Sequence, residues 1–133
     1  MRTIKFRGKK PSNDVWMYGS LVLSDELDTA IYFQVGTAGV KQMEWVYVKP
    51  ETVGQFTGLK DKNGREIYEG DIIFHYNMAY HIEYINGQWI SVASDGGWLP
   101  LLQDQEPISD QLHYIEVVGN IHDNQELLKG GAQ

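Results

Sequence analysis

Thr3-Ile4-Lys5-Phe6-Arg7 alternates polar and apolar with period two, the repeat of a half-buried strand. It predicts Ile4 and Phe6 inward and Lys5 and Arg7 outward. Pro11-Ser12-Asn13-Asp14 is turn chemistry, and Val15 to Leu23 follows as a second strand that pairs with the first in a hairpin. The glycine inside it, Gly19, marks a bulge or the close approach of another backbone. After the polar connection Ser24 to Asp28, the β-branched and aromatic run Ala30 to Val35 predicts a third strand. Gly36 and Gly39 break the chain. Glu44 to Val48 predicts a fourth strand, stopped by Pro50.

The second half is denser in turns. Asp61-Lys62-Asn63-Gly64 has the residues of a type I turn closing on a left-handed glycine, and Glu69-Gly70 offers another tight turn before the strand Ile72 to Tyr76. Strands over Ala79 to Ile85 and Gln88 to Ala93 flank Asn86-Gly87, the typical two-residue hairpin loop. Ser94 to Gly97 is a loop, Trp98 to Leu102 a further strand, Gln103 to Asp110 a polar loop or single helical turn, and Tyr114 to Ile121 the last strand. Asn124 caps a short helical turn through Gln125 to Leu128, with Gly130 and Gly131 after it. So many short strands without a long helix predict an all-β fold of antiparallel strands, a small barrel or sandwich, with at most a short C-terminal helical turn.

Composition changes this picture little. The chain has 133 residues, 42% apolar and 22% charged, within the range of one ordered globular domain. It contains no cysteine, which excludes disulfides, thiolate metal sites and a thiol nucleophile. The positive start is followed by Pro11 to Asp14 rather than an apolar segment, so it does not read as a secretory signal, and no apolar run approaches the ~20 residues that span a bilayer. The expectation is a cytoplasmic protein that is not bound to membrane.

Charge is distributed unevenly. The net charge is −7, yet the first ten residues carry five positive charges; residues 11 to 133 hold six basic against 18 acidic side chains, a balance of −12. Nucleic-acid binding requires clustered cations to neutralise phosphates, and only Lys5, Arg7, Lys9 and Lys10 supply them.

Ile4-Lys5-Phe6-Arg7-Gly8-Lys9, Trp16-Met17-Tyr18-Gly19-Ser20-Leu21, Val48 through Asp71, Val117-Val118-Gly119-Asn120-Ile121 and Asn124 to Leu128 together resemble the YopX family of phage and prophage proteins. Glu51-Thr52-Val53-Gly54-Gln55-Phe56-Thr57-Gly58-Leu59-Lys60-Asp61-Lys62-Asn63-Gly64, continued by Ile67-Tyr68-Glu69-Gly70-Asp71-Ile72, carries the resemblance most sharply. It spans nearly the whole chain. Gln125 departs from it, standing where proline is expected. The resemblance implies a mostly β protein of phage or prophage origin in a bacterial host, built as two lobes: an N-terminal β lobe over residues 1 to 56 and a C-terminal small-barrel lobe over 57 to 133. It brings no catalytic residue or ligand to these positions, and the stretch Ala79 to Asp110 is where a function particular to this member is expected.

Candidate chemistry is sparse. The histidines at 75, 81, 113 and 122 lack the spacing of a metal site. Asp61-Lys62-Asn63-Gly64 lacks the later ligands of a calcium loop, and Ser94-Asp95-Gly96-Gly97-Trp98 occurs once, with the wrong spacing for a propeller Asp box. Gly-x-Ser-x-Gly and Walker patterns are absent. Glu66, Glu69, Asp71 and Glu83 are acids that strands bring together, but without a readable nucleophile. No catalytic residue, cofactor or metal is nominated. The aromatic strands are the remaining signal, because neighbours such as Tyr32 and Phe33 point to opposite faces and one of them must cover a second layer, an interface or a groove.

The expectation is therefore a non-enzymatic interaction or assembly module that associates with itself or with a phage or host protein. Its nominated surface is Lys5, Arg7, Lys9, Lys10, Tyr76, Tyr80, Tyr84, Trp89 and Trp98. A second reading is a nucleic-acid-binding small barrel using the basic first strand and sheet aromatics; a third is an enzyme with an unrecognised site.

Overall fold

The computed structural model describes residues 3–24, 28–36, 39–101 and 112–129. Eleven strands in two antiparallel sheets and one four-residue helix make up its regular structure, apart from a single 3₁₀ turn at Pro50–Thr52. The chain divides into two units, Met1–Phe56 and Thr57–Gln133. The fold is all-β and antiparallel, as expected, and of the two expected forms, barrel or sandwich, it is not the barrel, since among the described residues neither sheet closes on itself. No described helix is long and apolar enough to cross a membrane.

In the first unit, β1 (Phe6–Lys9), β2 (Trp16–Leu23), β3 (Thr29–Val35) and β4 (Gln42–Tyr47) lie in the order β4-β3-β2-β1, and the start of β5 (Gly54–Lys60) pairs with the other side of β1. The β1–β2 hairpin forms as expected, with Phe6 opposite Gly19 and Lys9 opposite Trp16. Gly19 fulfils the close-approach reading: a Cβ there would overlap the Tyr32 carbonyl oxygen. The 3₁₀ turn is fastened to β1 by Thr52, whose Oγ1 accepts from the Lys9 N–H (2.9 Å) and donates to the Lys49 carbonyl (2.7 Å). Ala30, Ile31, Val48 and Phe56 are the buried apolar residues of this unit among those described.

The first strand departs from its predicted faces. It begins at Phe6 rather than Thr3, Ile4 is 58% exposed, and Arg7 is 4% exposed. The Arg7 guanidinium lies over the Trp16 ring, 4.6 Å from its centroid. A long stem and a flat, weakly hydrated head let arginine occupy a position that alternation assigns to solvent.

The second unit takes over along β5, continues through β6 (Glu66–Tyr68), and forms a five-stranded sheet from β7 (Asp71–His75), β8 (Met78–Ile85), β9 (Gln88–Ala93), β10 (Trp98–Pro100) and β11 (Glu116–Asn120) in the order β10-β9-β8-β7-β11. Ile67, Ile73, Tyr80, Ile82, Ala93, Leu101, Leu112, Ile115 and Val117 form its core. Ile72 and Ile73 point to opposite faces and both are fully buried, so β7 is covered on both sides. The helix α1 (Glu126–Lys129) packs against β8.

The turn chemistry holds. Gly64, Gly70 and Gly87 have φ of +81°, +90° and +82°, and the Gly64 N–H donates to the Asp61 carbonyl at 3.0 Å, closing the predicted turn. Asp61 is fully buried. Its Oδ1 accepts from the N–H groups of Asn63 (2.9 Å) and Arg65 (2.8 Å), and its Oδ2 from Val117 (2.9 Å), so one carboxylate binds the β5–β6 loop to β11.

Two details differ from the sequence expectation. Tyr76 ends no strand: with Asn77 it forms the two-residue turn between β7 and β8, His75 pairing with Met78, and both turn residues have positive φ (55° and 60°). Asn124 turns its side chain back to accept from the Asn120 N–H at 3.1 Å instead of capping the helix. The expected loop or helical turn at Gln103–Asp110, Leu102, and the glycines 130 and 131 lie outside the described residues.

Candidate functional site

The nominated surface is drawn from both units. Its basic part, in the first, is occupied by aromatic rings. Lys5 Nζ stands 5.3 Å from the Phe56 centroid, Arg7 lies 4.6 Å and Lys9 5.4 Å from Trp16, and Lys10 is half-buried. Cations of the nominated surface are thus partly engaged in cation–π packing, and Arg7, predicted to point outward, does not belong to an exposed cluster. Its place in the nominated surface is corrected by its burial.

The aromatic part, in the second unit, separates by depth. Tyr80 is buried and belongs to the core, and Trp89 packs against that core from its edge. Tyr84 is exposed and meets Trp89 edge-on at 4.7 Å, as expected of residues directly opposite on β8 and β9. Trp98 is exposed on the edge strand β10, and Tyr76 is 80% exposed at its turn. These residues do not converge on one patch of sheet: Tyr84 and Trp89 share a face with Tyr80, whereas Trp98, opposite Val92 and so in line with His81, lies on the other.

Around the Tyr76 turn is a polar cleft of about 220 Å³ lined by Lys62, Phe74, His75, Tyr76, Asn77, Tyr114 and Glu116. The His75 ring stacks on Tyr76 at 4.0 Å and approaches Tyr114 at 4.8 Å. Burial lowers the His75 pKa below its ordinary value, because the imidazolium loses water there. Lys62 reaches Glu116 at 3.8 Å across the cleft. Tyrosine has no special tolerance of positive φ, so the turn holds local strain. Elsewhere on β8, His81 Nε2 is hydrogen-bonded to Glu83. Among the described residues no three histidine or acidic side chains gather as metal ligands.

A different surface stands out in the first unit. Val22, Ala30 and Tyr47 are cross-strand neighbours, as are Ser20, Tyr32 and Trp45, so all six share one face of β2–β3–β4. On that face Val22, Ala30, Tyr32, Trp45 and Tyr47, with Ser24 and Asp28 at one end, line a groove of about 270 Å³. Ala30 is its floor. Met43, Trp45 and Tyr47 along β4 are 51%, 53% and 49% exposed, and the Trp45 and Tyr47 rings meet edge-on at 4.7 Å. Tyr32, Trp45 and Tyr47 lie on strands that the sequence predicts but outside the surface nominated from it. The available signal was Met43-x-Trp45-x-Tyr47, an apolar period of two, which ordinarily denotes a core face.

The YopX protein family matches residues 5–129. No curated protein matches the chain. Among solved structures, the crystal structure of protein EF1440 from Enterococcus faecalis is similar, with a TM-score of 0.58 and 27% identity, covering 96% of this chain and 99% of that one.

Proposed function

The chain belongs to the YopX family, and from that premise we propose that it is a phage or prophage accessory protein working as a β-rich protein-interaction module, with the Tyr32-Trp45-Tyr47 face as its contact surface. The observation that supports this reading is a row of half-exposed apolar side chains on an ordered sheet: Val22, Tyr32, Met43, Trp45 and Tyr47. Contiguous apolar surface of this kind is left in water only at a cost, and tryptophan and tyrosine are the side chains that concentrate binding energy at protein interfaces. Their rings bury a large area while the indole N–H and phenol O–H keep partners at the rim.

A photo-activated cross-linking residue placed at Tyr47 in the producing cell is expected to yield protein adducts well above those from the same residue at Asn63, an exposed polar loop position. Equal yields at the two positions would remove the basis of the reading.

A further inference from the structure

The proposed contact face ends at a strand edge that is open among the described residues, since β4 pairs only with β3. The hydrogen-bonding direction along that edge follows from the ladder. The Val48 N–H donates to the Thr29 carbonyl at 3.0 Å, and Ser24 donates to Asp28 at 3.1 Å on the other side of β3. Because backbone groups alternate direction along an antiparallel strand, the even residues of β4 bond to β3, and the N–H and C=O groups of Met43, Trp45 and Tyr47 point outward. These are also the residues whose side chains lie on the apolar face, because Trp45 is opposite Tyr32 and Tyr47 opposite Ala30. One strand thus offers backbone hydrogen bonds at its edge and apolar side chains on one adjoining face.

Resting on the interaction-module reading, we propose that the partner is a second copy of this chain, joined through β4 in an antiparallel pairing centred on Trp45. Antiparallel self-pairing that keeps both apolar faces on the same side must be centred on a residue. Centring on Glu44, the one charged residue of β4, sets two carboxylates directly opposite each other, which is repulsive. Centring on Trp45 places Glu44 opposite Val46 of the other copy, Trp45 opposite Trp45, and Met43 opposite Tyr47. Every outward backbone group from Met43 to Tyr47 then finds a partner. The two apolar faces join into one, and the edge that invites uncontrolled strand addition is closed by a twofold axis.

The test uses the purified full chain and its lack of native cysteine. Light scattering is expected to give twice the 15.2 kDa chain mass. Trp45→Asp, at a half-exposed position, is expected to weaken the dimer roughly a hundredfold or more while leaving the far-UV circular dichroism unchanged. Register is read independently by mixing Met43→Cys chains with Tyr47→Cys chains under mild oxidation. The mixed disulfide is expected to dominate over either homodisulfide, because only cross-paired residues come within disulfide reach. A monomer at high concentration, a dimer that survives Trp45→Asp, or dominant homodisulfides would each overturn the proposal. A monomer whose Tyr47 position still cross-links other proteins in cells would overturn it while leaving the interaction-module reading intact.

Discussion

The β2–β3–β4 sheet of the first unit and the β7–β8–β9 sheet of the second are written in the same period-two alphabet, and their apolar residues end in opposite environments. Ile73, Tyr80, Ile82 and Ala93 sit in a buried aliphatic core, whereas Tyr32, Met43, Trp45 and Tyr47 are left exposed. Alternation specifies which residues share a face. It does not specify whether anything covers that face. Branched aliphatics dominate the buried sheet face, and amphipathic rings dominate the exposed one, which is the division expected when one surface is dry and the other meets water.

Substitutions can break this contrast. The largest effect is expected from Asp61→Ala, which strands the N–H groups of Asn63, Arg65 and Val117 and should cost about 4 kcal/mol in urea denaturation. Ile82→Ala removes a side chain from the covered sheet and is expected to lose about 3 kcal/mol. Trp45→Ala on the open sheet should change the stability of the isolated chain by no more than about 0.5 kcal/mol. Similar losses for Ile82→Ala and Trp45→Ala, measured with the chain held monomeric, would show that both faces are covered after all.

A smaller effect sharpens the comparison at a turn. Replacing Tyr76-Asn77 by Asn-Gly keeps the two-residue loop while relieving the left-handed tyrosine, and a gain of about 1 kcal/mol in thermal or urea unfolding is expected. A loss would mean that the His75–Tyr76 stack outweighs the strain.

The smallest effect is a pH slope. The His75 pKa is lowered in the folded chain by burial, so as pH falls below the ordinary histidine value the unfolded chain takes up a proton first and stability declines. The decline ends once pH drops below the folded-state value, where both states are protonated. His75→Gln should flatten this step in unfolding measured between pH 7 and 5, and an unchanged slope would locate the titration elsewhere.

Legibility in the sequence followed the range of the forces involved. The hairpins at Asp61–Gly64 and Asn86-Gly87 were readable because glycine or asparagine accepts a backbone angle that other residues resist. The Tyr76-Asn77 turn was not, because tyrosine gives no such signal and the stack on His75 depends on the ring's neighbours. Arg7 was misassigned because Trp16, nine residues away, supplies the surface it packs on. The aromatic face was half-legible: its residues were seen as strand aromatics, but their exposure was not.

Residue identity alone determined the family, the all-β class, most strand positions and the glycine turns, since each rests on local backbone preference or on a pattern a few residues long. Burial was decided by contacts between distant parts of the chain. Asp61 anchors β11 because the fold brings it the Val117 N–H, and Trp45 stays exposed together with Tyr32 and Val22, its companions on one face of the β2–β3–β4 sheet. A side chain's fate depends on what covers it, and cover is a property of the fold.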